Sequence, residues 1–72
     1  MEARQDTPKE RQRLLRLFVE RPAQLHLPLT NRALLAMLDE GQVAVTHRWR
    51  EQMLDCVKIR LTEAGRKAMA SP

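Results

Sequence analysis

The apolar positions in the first third of the chain recur at the spacing of an amphipathic helix. Thr7 is a good N-cap, Pro8 suits the first helical position, and Glu10 stands where a capping box needs its carboxylate. Pro22 disfavours helical backbone at the residue before it, so the pattern predicts a helix that ends near Glu20. Five apolar residues share one broad face of that helix at 100° per residue: Leu14, Leu15, Leu17, Phe18 and Val19.

A second helix is predicted after a proline-rich connection. Residues 21–29 contain two prolines and alternating leucines, and residues 24–27 are compatible with a short strand or with a single turn. Thr30 is the predicted N-cap of a helix over residues 31–40, which Gly41 closes. Its predicted buried side comprises Leu34, Leu35, Met37 and Leu38.

The hydrophobic period changes from helical to alternating after Gly41. Two alternating runs, joined by about seven residues, predict a β-hairpin: Val43, Val45, His47 and Trp49 in the first, and Val57, Ile59 and Leu61 in the second. Thr62 then caps a short terminal helix with Glu63 at its positive end. Ala64, Ala68 and Met69 are predicted to pack inward from that helix.

Residues 46–57 also fit a helix. Trp49, Met53, Leu54 and Val57 would line one face of it, and the segment contains no Gly or Pro for a tight turn. The sequence leaves both interpretations of this segment open.

The strongest resemblance to a known family lies in the second half of the chain. Residues 57–69 (VKIRLTEAGRKAM) resemble the closing segment of bacterial winged-helix regulators, in which a wing strand runs into a Leu-Thr-x-x-Gly-Arg turn that opens the last helix. Residues 34–43 (LLAMLDEGQV) are similar to the third helix and first wing strand of that family. The resemblance implies an α+β, winged-helix-like domain over residues 7–70, in the order helix, short extended segment, helix, hairpin wing and C-terminal helix. Residues 1–6 are expected to form a disordered tail.

Charge places a candidate nucleic-acid surface on the predicted wing. Thirteen Lys and Arg residues against nine Asp and Glu give a net charge of +4, and ten of the thirteen are Arg. The resemblance implies a DNA-binding transcriptional regulator, expected to be a homodimer. The hairpin interpretation makes four cations converge on the exposed face and tip of the wing, where they would contact phosphate: Arg48, Arg50, Lys58 and Arg60. Asn31 and Arg32, at the start of the second helix, would approach a groove. A solvated strand face protected by charge explains the same pattern equally well.

Little in the sequence indicates catalysis or a cofactor. Cys56 is the only cysteine, which excludes an internal disulfide and suits a reducing compartment. Metal-capable atoms are present in His26, His47, Asp55 and Cys56, but no pair of these residues has a recognisable zinc-ligand spacing. We therefore expect no enzyme activity, metal, cofactor or small-molecule substrate. There is no secretion signal, and the longest apolar run, residues 33–38, is too short for a bilayer, so a soluble cytoplasmic protein is expected.

The rival functional hypothesis is protein binding. Asp39 and Glu40 lie on the outward side of the second helix, where a DNA-reading helix would carry cationic or amide side chains. Six apolar residues either fill the core or leave apolar surface that a partner would cover: Leu25, Leu27, Leu29, Met37, Met53 and Met69. A non-enzymatic adaptor or inhibitor of a larger protein, of the kind that phages and plasmids encode, therefore remains an alternative to a DNA-binding regulator.

Overall fold

A computed structural model describes residues 5–70 as an α+β fold with the winged-helix-like order of elements. The described residues form three helices and three strands in this order: α1 (Pro8–Glu20), β1 (Ala23–His26), α2 (Arg32–Asp39), β2 (Val43–Glu51), β3 (Leu54–Leu61) and α3 (Glu63–Ala70). The strands form one antiparallel sheet in the order β1-β3-β2, so β3 is central. The predicted fold class is confirmed.

Helix α1 begins and ends at the predicted residues. The Thr7 side chain accepts a hydrogen bond from the Glu10 backbone N–H at 3.1 Å, which satisfies one of the free donors of the first turn. The apolar face is narrower than predicted, because Leu17 and Val19 are 45% and 44% exposed. Leu14, Leu15 and Phe18 provide the buried stripe of this helix.

Helix α2 starts one residue later than predicted, because Asn31 and not Thr30 is its N-cap. The Asn31 side-chain oxygen accepts a hydrogen bond from the Leu34 backbone N–H at 3.1 Å. At the other end Gly41 has a φ of +79°. Two backbone bonds, from Gly41 N–H to the Leu38 carbonyl and from Gln42 N–H to the Met37 carbonyl, complete a Schellman motif.

The segment with two sequence interpretations is a β-hairpin. Gln52 and Met53 form its two-residue turn with φ of +50° and +67°, both in the left-handed region that such turns require. The connection is therefore shorter than the predicted seven residues, and both strands reach closer to the tip. Neither turn residue is glycine, which is why the sequence carries no turn signal here.

A bulge in β2 changes which residues of the hairpin share a face, so the predicted faces are wrong beyond it. Val45 pairs with Ile59, whereas His47 pairs with Lys58, so one extra residue lies between these pairs and the alternation shifts. His47 and Trp49 consequently lie on the opposite face from Val43 and Val45, not on the same face as the simple period predicted.

All three helices pack on one face of the sheet, which we call the inner face. The buried core consists of residues from α1, α2 and the sheet: Leu14, Leu15, Phe18, Ala33, Leu34, Met37, Val43, Val57, Ile59 and Leu61. Leu35, which was predicted to be buried, is 43% exposed. No helix among residues 5–70 is long and apolar enough to cross a membrane.

The start of α3 is tied to the end of α2 through Thr62. Its hydroxyl donates to the Gly41 carbonyl and accepts from the Gly65 backbone N–H, and its own N–H donates to the Gln42 carbonyl at 3.0 Å. Thr62 is thus the predicted cap of α3. Gly65 is buried, whereas Ala64, which was predicted to pack inward, is exposed. Ala68 and Met69 pack against the core as predicted.

Candidate nucleic-acid interface

The face of the sheet opposite the helices, the outer face, is uncovered. Paired residues of an antiparallel ladder place their side chains on the same side, so the register identifies the members of each face. Ile59 and Val57 point into the core, and their neighbours Lys58 and Arg60 therefore point outward. The outer face comprises Gln24 and His26 of β1, Ala44, His47, Trp49 and Glu51 of β2, and Leu54, Cys56, Lys58 and Arg60 of β3.

Lys58 and Arg60 form the cationic centre of the outer face. Lys58 is flanked by Gln24 on β1 and His47 on β2, and Arg60 pairs with Ala44. Neither cation has an ion pair within residues 5–70. No acidic residue of the outer face is paired with or next to Lys58 or Arg60. The only carboxylate of this face belongs to Glu51, which pairs with Leu54 next to the turn. Both cations are therefore available to an anionic ligand.

The four cations predicted to converge are divided between the two faces. Arg48 pairs with Val57 and Arg50 pairs with Asp55, which puts both arginines on the inner-face side of the hairpin, beyond the helices. Arg50 also lies 3.6 Å from the Asp55 carboxylate, in an exposed ion pair. The bulge causes this division, because without it Arg48 and Arg50 would share a face with Lys58 and Arg60. The predicted convergence of all four is wrong.

Trp49 and Cys56 form a row with His26 across the three strands. Cys56 is buried although it lies on the outer face, and its thiol donates to the Leu54 carbonyl at 3.6 Å. Trp49 is half-buried beside it and donates its indole N–H to Glu51 at 3.2 Å. A large ring therefore stands next to the cationic rows of the outer face.

The start of α2 differs from its predicted role. Asn31 uses its oxygen as the helix cap and donates its amide N–H to Glu10 at 2.8 Å, so its side chain joins α1 to α2. Arg32 is exposed and has no ion pair within the described part of the chain. Of these two predicted groove residues, only Arg32 presents a free side chain.

Arg11 of α1 forms two ion pairs within the fold. Arg11 binds Asp6 at 2.6 Å and Glu40 at 2.8 Å, which ties the residues before α1 and the end of α2 to the same guanidinium. Hydrogen bonds from Arg11 lower the pKa of Asp6, and hydrogen bonds to Asp6 and Glu40 raise the pKa of Arg11. Asp6 belongs to the predicted tail, and residues 1–4 of that tail lie outside the described residues.

Glu10 is a structural residue that sequence reasoning assigned only to the helix cap. It is 8% exposed and binds Arg13 through two hydrogen bonds, of 2.7 and 2.6 Å. These bonds raise the pKa of Arg13 against the opposing effect of desolvation. The sequence signal for this role was weak, because only the fold brings Asn31 next to a carboxylate 21 residues earlier.

Residues 5–70 contain no group of three or more His, Cys, Asp and Glu side chains that could hold a metal ion. The chemistry that the outer face offers is that of positive charge, imidazole and amide hydrogen bonding, and one indole.

Comparisons of the chain with models of protein families, with characterised proteins and with solved structures give no match. The function is therefore argued from the geometry. The Leu-Thr-x-x-Gly motif behind the winged-helix resemblance has a structural explanation in this chain. Thr62 caps α3, and Gly65 lies against the backbone carbonyl of Gln42, where a side chain would not fit.

Proposed function

We propose that this protein binds duplex DNA through the outer face of its sheet and acts as a small transcriptional regulator. The observation that carries the proposal is the pair of free cations, Lys58 and Arg60, on an uncovered face without a neighbouring acid. Phosphate contacts supply most of the sequence-independent affinity of proteins for DNA, and they require side chains of this kind.

The spacing of the two cations suits a phosphate backbone. Residues two apart on a strand are separated by about 7 Å. Phosphates of one DNA strand rise by about 3.4 Å each along the helix axis and are further apart through space because the strand winds around that axis, so the spacing of the two cations is closest to that of neighbouring phosphates. Gln24 and His47, which flank Lys58, add hydrogen-bonding groups on both sides. The extended central strand thus presents a short row of phosphate contacts.

The salt dependence of binding tests this surface. The double variant Lys58→Ala/Arg60→Ala should bind a mixed-sequence duplex more weakly than the unmodified chain. Each lost phosphate contact should reduce the slope of log Kobs against log[salt] by about 0.9, which gives a total reduction of about 1.8. Fluorescence anisotropy with a labelled duplex, between about 50 and 200 mM salt, measures both quantities.

Lys9→Ala/Arg16→Ala is the matched control, because it removes the same charge from the exposed side of α1. Both residues are exposed, and neither forms an ion pair within residues 5–70. The control should keep most of the salt slope. Equal losses in the two double variants would mean that total charge and not the outer face determines binding, and absence of binding at low salt would reject DNA as the ligand.

Docking on a larger protein is the second candidate function, favoured by the apolar tip of the hairpin. Met53 is 89% exposed and Leu54 is 47% exposed, and they are adjacent in the chain. Exposed apolar side chains at a protruding turn are typical of a protein contact. The test is capture of a partner protein from a lysate with the full chain as bait. Capture that persists after nuclease treatment and is lost with the Met53→Ser variant would favour this adaptor or inhibitor function over DNA binding.

We also propose a cytoplasmic location, which the free, buried Cys56 supports because such a thiol suits a reducing compartment.

A further inference from the structure

The exposed face of α2 is a self-complementary stripe. Arg32, Leu35, Ala36 and Asp39 follow the i, i+3, i+4, i+7 spacing that places residues on one face of a helix. The opposite face, with Ala33, Leu34 and Met37, is buried in the core. Leu35 is 43% exposed, and Arg32 and Asp39 are exposed without ion pairs within residues 5–70.

The end charges of α2 oppose its helix dipole. A cation, Arg32, occupies the first helical position and an acid, Asp39, the last, and there is no acid in the first turn and no base in the last turn. Anions are favoured at helix N-termini and cations at C-termini, so each charge is misplaced within the isolated chain. A second helix running antiparallel would present the opposite charge at each end.

We propose that a second copy of this chain binds this face, with the two α2 helices antiparallel across a two-fold axis. The centre of the stripe lies between Leu35 and Ala36. A two-fold axis there would place Arg32 opposite the partner's Asp39, and Leu35 against the apolar centre of the partner's helix. This interface would give Arg32 and Asp39 partners of opposite charge, place a favourable charge beside each end of α2, and cover Leu35.

The apolar surface beside α2 extends this interface. A groove next to Leu35 is lined by Leu27, Pro28 and Leu29 from the connection before α2, together with Asp55. An eight-residue helix is only about 12 Å long and buries less than the roughly 800 Å² per partner of a standard interface. The groove supplies the adjoining area, so each copy contributes both the helix stripe and this connection.

This dimer makes no use of nucleic acid or of the outer face of the sheet. Asp39, an acid that is unfavourable next to phosphates, has a partner in this arrangement. The proposal therefore stands or fails independently of DNA binding.

A charge-exchange experiment tests the interface on the full chain without DNA. Arg32→Asp sets acids opposite acids, and Asp39→Arg sets bases opposite bases, so each single variant should dimerise on the order of tenfold more weakly than the unmodified chain. An equimolar mixture of the two variants restores opposite charges in both pairs, and it should form a heterodimer with nearly the original affinity. Sedimentation velocity with one variant fluorescently labelled measures all three species.

Misfolding does not confuse this test, since each substitution changes an exposed residue and moves the charge in the direction that the helix dipole favours. Circular dichroism should show unchanged folding of both variants. Leu35→Asp should also abolish the dimer, because it places a charge at the apolar centre. An unmodified chain that stays monomeric up to about 1 mM would overturn the proposal. A dimer that both charge variants leave unchanged, or a mixture that forms no heterodimer, would also overturn it.

Discussion

Gly65→Ala should unfold or severely destabilise the protein. A Cβ at this position would overlap the Gln42 carbonyl oxygen and lie 2.7 Å from Leu61 Cδ1. The carbonyl is backbone and already accepts a hydrogen bond from Thr62, so it cannot move without breaking the junction between α2 and α3. We expect a loss of about 3 kcal/mol or more in the free energy of unfolding, at the upper end of overpacking effects.

The direction of the stability change in Gly65→Ala distinguishes a steric clash from the usual effect of alanine in a helix. Gly65 lies within α3, and in an open helix position alanine is more stable than glycine by about 0.5–1 kcal/mol. Thermal unfolding followed by circular dichroism measures the change, and about 4–8 °C is lost per kcal/mol in a domain of this size. A variant as stable as the unmodified chain, or more so, would mean that α3 does not approach Gln42 as described.

Gly41→Ala is the matched control for Gly65→Ala. Among residues 5–70, apart from the two chain neighbours of Gly41, no atom lies within 4 Å of a Cβ built on this glycine, so the substitution acts only through the left-handed backbone at φ +79°. Its expected cost is about 1–2 kcal/mol, which is the strain of a non-glycine residue in that region. The two glycines thus separate steric exclusion from backbone strain.

Glu10→Ala should produce the second largest loss, because one buried carboxylate joins α1 to the cap of α2. It accepts hydrogen bonds from Arg13 and Asn31, both within 2.8 Å. Hydrogen bonds to charged groups contribute about 1.5–3 kcal/mol each when buried. The Arg13 side chain is 51% exposed and its share is screened, so we expect a total of about 2–3 kcal/mol.

Glu10→Gln distinguishes the charge of this group from its shape. Glutamine keeps an oxygen that can accept from Asn31, but it loses the charged bidentate pairing with Arg13. Urea unfolding should give this variant a stability between those of Glu10→Ala and the unmodified chain. Glu20→Ala, at an exposed position in the same helix, should change stability little. Equal effects of Glu10→Ala and Glu20→Ala would contradict the proposed link between the helices.

The elements of this fold were largely predictable, because each carries a local signal. Thr7, Gly41 and Thr62 mark helix ends through side-chain capping or positive φ, and these signals depend only on neighbouring residues. The alternation in residues 57–61 likewise identified β3. The sequence was ambiguous over residues 24–27, which form part of β1, and at the hairpin turn, where Gln52 and Met53 have no preference for the left-handed region.

The candidate site was less predictable, because it depends on register. A single extra residue between Val45 and His47 moves Arg48 and Arg50 to the opposite face from Lys58 and Arg60. Nothing in the alternating pattern announces a bulge there, and a one-residue slip exchanges the faces of everything beyond it. The pairing of Asn31 with Glu10 is similarly long-range, and a polar residue at a helix start reads as a cap or a ligand contact equally well.

The two proposals give different roles to three cationic residues on two different faces of the molecule. In these proposals Lys58 and Arg60 would contact DNA from the outer face, whereas Arg32 would pair with the second copy across α2. This arrangement differs from the usual expectation that the helix before a wing reads bases, and it follows from the acids that α2 carries.

The most direct test of DNA binding by the outer face is a backbone amide NMR titration of the full chain with a mixed-sequence duplex. The titration is run at low salt and repeated at high salt. We predict chemical-shift changes concentrated at Gln24, Ala44, His47, Lys58 and Arg60, which fade as the salt concentration rises. An absence of changes at low salt, or changes concentrated on α2, would contradict the assignment of this face to DNA.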